Sequence, residues 1–133
     1  MTDPARHTGP ALEAHQRFLT WLIPTLEKFP RAQRFLLGDR IEATALDVLE
    51  RLIEATYTKE RQGMLRAANL GLEKLRHLIR LAHDLHYLDT RRYEHAARAI
   101  NETGRLIGSW TKTDQRQPTP MADNSPASMP DVS

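Results

Sequence analysis

Apolar residues recur every three or four positions along most of the chain, and no stretch alternates apolar and polar residues as a half-buried strand would. Four segments carry this helical pattern. Between about Ala11 and Phe29, Leu12, His15, Phe18, Leu19, Leu22 and Leu26 form one stripe, with Trp21 one position off it and therefore at its edge. Pro24 falls inside the pattern; it removes one helical hydrogen bond and clashes one turn back, so a kink or a split is expected there. A second helix opens at Pro30, where a missing N–H costs nothing, and runs to about Tyr57. Leu37, Ile41, Val48, Leu52 and Ala55 mark one face of it, and Leu46, Leu49 and Ile53 a second face alongside. Thr58 is the candidate cap of a third helix, with Glu60 and Arg61 in its first turn and its end near Tyr87. Leu65, Leu72, Leu75, Ile79 and Ala82 make a heptad-like seam there, flanked by Leu70, Leu78, Leu81, Leu85 and Leu88 and interrupted by Gly63 and Gly71. Asp89 or Thr90 caps a fourth helix, which carries Tyr93, Ala96, Ala97, Ile100, Thr103, Gly104, Ile107 and Trp110 and ends near Lys112.

Four amphipathic helices on short hinges predict an all-α, up-down-up-down four-helix bundle over residues 11–112. Residues 1–10 are polar and contain Pro4 and Pro10. Residues 113–133 scatter Pro118, Pro120, Pro126 and Pro130 among Ser, Thr, Asn, Asp and Gln. Both ends read as disordered. Helices two and three are apolar over a wider arc than a lone bundle buries. Either the helical phase is imprecise, or a homo-oligomer covers a second face. The last turns, Asn101 to Trp110, add Gly104 and Gly108, four apart. A glycine inside a helix costs about 1 kcal/mol relative to alanine, so the pair predicts a backbone passing close to that face. Gly104, Gly108 and Trp110 are accordingly assigned to packing, with the indole covering the end of the bundle.

The length of 133 residues suits one domain with a modest core, and the absence of cysteine removes disulfides and thiolate metal sites. Residues 1–10 have no apolar stretch of the signal-peptide kind, and no run is long enough to span a bilayer, so a soluble, cytoplasmic protein is expected. The net charge of +2 conceals an uneven distribution: residues 11–112 hold 17 Lys and Arg against 13 Asp and Glu, while the flanks are acidic. A basic core with mildly acidic ends is compatible with a polyanionic partner.

A four-helix bundle invites comparison with di-iron enzymes, which need Glu-x-x-His on two helices so that both ligands face inward. Here Glu73 is followed three residues later by Arg76, Glu94 by Ala97 and Glu102 by Arg105. His83, Asp84, His86 and Asp89 crowd one helix end without the ligand spacing of a metal motif, and histidines there also suit the helix dipole. No nucleophile elbow or phosphate-binding loop is present. The expectation is a protein without catalysis, metal or cofactor of its own.

Basic residues have clearer order. Arg91, Arg98, Arg105 and Lys112 are spaced by seven on helix four, Arg76 and Arg80 lie one turn apart on helix three, and Arg31, Arg34 and Arg40 gather at the start of helix two. The planar guanidinium suits phosphate oxygens, and a polyanion touching several would bind with strong salt dependence. Glu94 and Glu102 sit within one turn of Arg98, so the same stripe also reads as a solvated salt-bridge face.

Three stretches in order carry a family likeness. They are Phe29-Pro30-Arg31 through Ile41, Leu72 through Leu85, and Glu102 through Trp110. The chain resembles the accessory variability determinant proteins of diversity-generating retroelements, over most of residues 11–112. The resemblance implies a homopentamer of four-helix bundles with basic surfaces. It implies binding to a reverse transcriptase and to the retroelement's RNA or DNA, in support of mutagenic retrohoming. Arg31, Arg34, Arg40, Arg76, Arg80, Arg91, Arg98 and Arg105 become the candidate nucleic-acid or partner contacts. A related bundle family, encoded in intervening sequences of ribosomal RNA genes, shares the architecture; on that alternative the chain is an interaction module without a direct nucleic-acid role.

Overall fold

The computed structural model describes residues 4–116. The elements are α1 (Pro4–Leu26), α2 (Arg31–Gln33), a π-helical turn (Arg34–Gly38), α3 (Asp39–Tyr57), α4 (Gln62–Asp84) and α5 (Thr90–Arg116). Gln33, Arg34, Gly38 and Asp39 all keep right-handed helical backbone, so α2, the π turn and α3 form one continuous rod. The described residues thus make four rods and no strand. α1 and α4 each pack on both α3 and α5, which puts α1 diagonal to α4 in a four-sided bundle. This is the all-α four-helix arrangement that the periodicity predicts. In proteins most helical stability comes from packing an amphipathic face rather than from intrinsic propensity. Burying a Leu or Ile side chain contributes about 1.5–3 kcal/mol, and the four apolar stripes do so around a common axis through Leu22, Ile41, Leu52, Leu72, Leu75, Ile79 and Ile100.

The element ends differ from expectation for identifiable reasons. Gly9 (φ 77°, ψ 168°) interrupts α1, and regular helix resumes at Pro10, beside the expected start. Pro24 is exposed and does not split α1; the helix ends two residues later, so little helix remains beyond it to distort. Phe29 belongs to the hinge. The amides of Lys28 and Phe29 donate to the carbonyls of Thr25 and Leu26, and the Phe29 ring packs 5.9 Å from Tyr87. Thr58 does not cap α4: it is the extended residue that ends α3, and α4 begins at Gln62. The reason is Arg61, whose Nε donates to the carbonyls of Ala55 and Thr58 while its Nη1 reaches Asp114 Oδ1 at 3.1 Å. Gln62 Nε2 donates to the other oxygen of Asp114 at 2.6 Å. The same contacts carry α5 to Arg116, past the expected end near Lys112. α4 stops at Asp84 rather than near Tyr87. His86 turns left-handed (φ 68°), its amide donates to His83 O, and the Tyr87 amide donates to Ala82 O; together these two bonds make a Schellman motif. At the start of α5, Asp89 is the cap, accepting from the Arg92 amide at 2.8 Å. Of the flanks expected to be disordered, 1–10 and 113–133, residues 4–8 and 113–116 are helical, and residues 1–3 and 117–133 lie outside the described residues.

The glycines behave differently from expectation. A Cβ on Gly104 would meet Leu72 Cδ1 at 3.7 Å, ordinary contact, and one on Gly108 would meet nothing within 4 Å. Neither marks a close backbone approach within the chain. Gly71 does: a Cβ there would lie 2.5 Å from Val48 Cγ2. Valine is held to essentially one rotamer in a helix, so it has little freedom to yield. Trp110 is half-buried and packs against the core. The apolar surplus of helices two and three is present in the chain: Ile53, Tyr57, Leu70, Leu81 and Leu85 are exposed, as are Phe35 (60 %) and Leu36 (73 %) on the π turn.

Two polar side chains, His15 and Thr103, are fully buried in the core. His15 is fully buried on α1, and its Nε2 lies 2.8 Å from the carbonyl of Ala45 on α3. A carbonyl only accepts, so Nε2 carries the proton, and Nδ1 is a buried lone pair without a partner. Burial pushes the imidazole pKa below its ordinary value of 6.5, opposed in part by the Ala45 bond.

Gly71→Ala should destabilise the bundle by about 1–3 kcal/mol through overpacking against Val48, whereas Gly108→Ala should stabilise it by about 0.5–1 kcal/mol; denaturant melts of the two variants check the contrast. His15 protonates more readily unfolded than folded, so its contribution is complete above pH 6.5 and is lost as pH falls below that value toward the depressed folded pKa. The melting temperature of the native chain should therefore drop more between pH 7 and pH 5 than that of His15→Gln, which keeps a donor for Ala45 but does not titrate.

Candidate nucleic-acid interface

The alternating direction of the rods brings the end of α1, the start of α3, the end of α4 and the start of α5 to one end of the bundle. The Phe29–Tyr87 contact joins the two hinges there. Seven of the eight arginines singled out from the sequence lie in the half of the molecule nearer this end. Arg105 lies farther along α5.

Their surroundings divide them. Arg31 and Arg40 are exposed on α2 and α3. Arg34 is half-buried, donates to the Glu27 carbonyl at 3.4 Å, and lies 5.5 Å over the Phe35 ring. These three belong to the rod diagonal to α5 and do not join its stripe. Arg76 is engaged twice, by Glu73 on its own helix and by Asn101 Oδ1 of α5 at 2.9 Å, so it ties the α4–α5 seam. Arg80, one turn on, is exposed and makes no hydrogen bond or ion pair among the described residues. On α5, Arg105 forks onto both oxygens of Glu102 at 3.2 and 2.7 Å. The salt-bridge reading of the stripe is thus correct for Arg105. It fails for Arg91 and Arg98, which are exposed and hold no carboxylate.

Arg91 and Arg98 instead share a groove of about 330 Å³ between α1 and α5, lined also by Trp21, Asp89, Arg92 and His95. Residues 91, 95 and 98 fall on one face of α5 by helical spacing. The Trp21 and His95 rings are 4.3 Å apart, inclined at 44°, and Phe18 backs the indole at 6.0 Å and 23°. Asp89 is the sole acid of the groove, and it is already occupied. Its oxygens take the Arg92 amide and, at 2.6 Å, the Arg92 guanidinium. The amide bond first, then the charges of Arg92 and Arg91, hold its carboxyl below the usual carboxylate range. The groove therefore keeps two unpaired guanidinium groups beside an aromatic pair. Sequence reasoning missed Trp21, Arg92 and His95 as site residues. The available signal was the i, i+4, i+7 set Arg91, His95 and Arg98, combined with a tryptophan displaced from its core stripe.

His83 and His86 do not act together. His83 stacks on Tyr93 at 4.5 Å with its Nε2 3.2 Å from Thr90 Oγ1, and His86 is the left-handed residue of the α4 terminus. Among the described residues no three His, Asp or Glu side chains converge on a metal site, and no helix is long and apolar enough to cross a membrane.

A search of curated proteins finds no match to this chain. A family model does match: the one described as bAvd-like covers residues 12–113, which take in most of α1 and α5, the two rods between them and every arginine discussed above. By that match the chain belongs to the bAvd-like family, the accessory variability determinants of diversity-generating retroelements.

Proposed function

We propose that this protein is a non-catalytic adaptor that binds the retroelement's reverse transcriptase and its template RNA or cDNA, and so supports mutagenic retrohoming in the cytoplasm. Family membership gives the accessory role. The observation that carries nucleic-acid binding is the exposure of Arg80, Arg91 and Arg98 without carboxylate partners, in a chain of which residues 11–112 are net basic. Unpaired guanidinium groups are the ones free to displace counterions from phosphates. Arg31 and Arg40 extend the basic surface around the same end of the bundle. The exposed apolar residues of α3 and α4 supply the faces for self-assembly and for the enzyme.

A second reading, an interaction module indifferent to nucleic acid, draws on the closed pairs Arg105–Glu102 and Arg76–Glu73. Salt dependence separates the two. The triple variant Arg80→Glu, Arg91→Glu, Arg98→Glu should weaken single-stranded RNA binding at least tenfold. It should also flatten the log–log salt slope by about 2, at about 0.7 for each single-strand phosphate that is no longer neutralised. Its melting temperature should stay near that of the native chain, because all three side chains are exposed. Unchanged affinity and slope would favour the interaction module. Assembly is checked by light scattering on a sizing column: five chains of 15.3 kDa give about 77 kDa. A monomeric mass would show that the exposed apolar faces serve other partners.

A further inference from the structure

The groove between α1 and α5 is more specific than a basic surface needs to be. Phosphates alone would be served by arginines anywhere on α5. Here a tryptophan and a histidine are placed beside Arg91 and Arg98, two arginines that hold no carboxylate. Phe18 supports the indole from inside, and the His95 imidazole is left exposed as a flat surface. Arg91 and Arg98 lie seven residues apart on α5, about 10 Å along its axis, with His95 between them. The volume of about 330 Å³ lies at the lower end of small-ligand sites. It suits one nucleotide unit and is too small for a duplex.

We infer that this groove is a base-stacking subsite for single-stranded nucleic acid: one unpaired base lies against the Trp21–His95 pair while Arg91 and Arg98 hold the phosphates on either side. The inference rests on the nucleic-acid reading above and assigns it a place and a strand type. Every base has a π-face, so stacking of this kind is tolerant of sequence. Base-paired RNA keeps its base faces stacked and is gripped through its phosphates and 2′-hydroxyls. Asp89 does not oppose the phosphates strongly, because its charge is spent on the Arg92 amide and guanidinium. Arg92 is thus a positioning residue: it neutralises the groove's acid and leaves Arg91 and Arg98 to the ligand.

The test uses the full chain with Trp110→Phe, which leaves Trp21 as the sole indole reporter. The probes are a short labelled single-stranded RNA, the same RNA as a duplex, and inorganic tripolyphosphate. Single strand should quench Trp21 fluorescence, and tripolyphosphate should leave it nearly unchanged. His95→Ala, at an exposed position, should lower single-strand affinity about tenfold, within the range for removal of one base–aromatic stack. It should change duplex and tripolyphosphate affinity less than twofold. His95→Tyr should restore single-strand binding, and Arg91→Gln with Arg98→Gln should weaken all three probes. If His95→Ala binds single strand as tightly as the parent, or weakens all three probes equally, the subsite is overturned while the basic-surface reading survives. If the parent chain binds no RNA even at low salt, both readings fall together.

Discussion

The most extensive helix–helix contact in the bundle is between α3 and α4, and the missing side chain of Gly71 leaves room there for Val48. The other rods dock on this pair. α1 is pinned to α3 by the His15 bond to Ala45, a directional contact in a mostly apolar interior. α5 closes the square, tied to the start of α4 by Asp114 at one end and started by the Asp89 cap at the other. Arg61 has a part in three elements at once, the end of α3, the start of α4 and the end of α5. A single side chain thereby takes up backbone acceptors that the α3–α4 hinge would otherwise leave to water.

The arrangement of exposed arginines is a consequence of that packing. On α5 the core consumes Ala96, Ile100, Thr103 and Ile107. Helical geometry then sends positions 91, 98 and 105 to the outside. Heptad spacing puts all three arginines on the surface but does not make them equivalent. Arg105 has a glutamate three residues before it and closes on it. Arg98 also has Glu94 and Glu102 within a turn, yet holds neither. Arg91 is served by an acid, Asp89, that has already been claimed by Arg92. Proximity in sequence counts the acids near an arginine; only the three-dimensional arrangement shows which of them is taken.

Much of the bundle was legible from the chain. The apolar stripes of all four helices are the buried stripes, because a period near 3.6 leaves few alternatives for where a leucine can go. The hinges were harder. Thr58 has the chemistry of a cap but loses the position to Arg61, whose partners lie 53 residues away at Asp114 as well as next door. Long-range contacts of that sort have no local signature. The glycines misled for a related reason: Gly104 and Gly108 look like a packing motif, and Gly71 looks like an isolated flaw, but only the neighbour across the interface decides. The groove was half visible. Its arginines stood out by spacing, whereas Trp21 and His95 lie 74 residues apart in sequence and meet only through the fold.

The π turn at Arg34–Gly38, where the Asp39 amide reaches back to Arg34 O, has a consequence for chain length. A wide turn holds one residue more than an α-helical turn needs while both flanking helices keep their direction. Deleting a single residue there would let α2 run into α3 as ordinary α-helix, with Ile41, Ala45, Val48 and Leu52 still facing the core. What would change is the placement of Phe35 and Leu36, the two exposed apolar residues on the turn. This segment is therefore where relatives of different length can be accommodated without repacking the interior. The apolar surface it displays can vary independently of the fold that carries it.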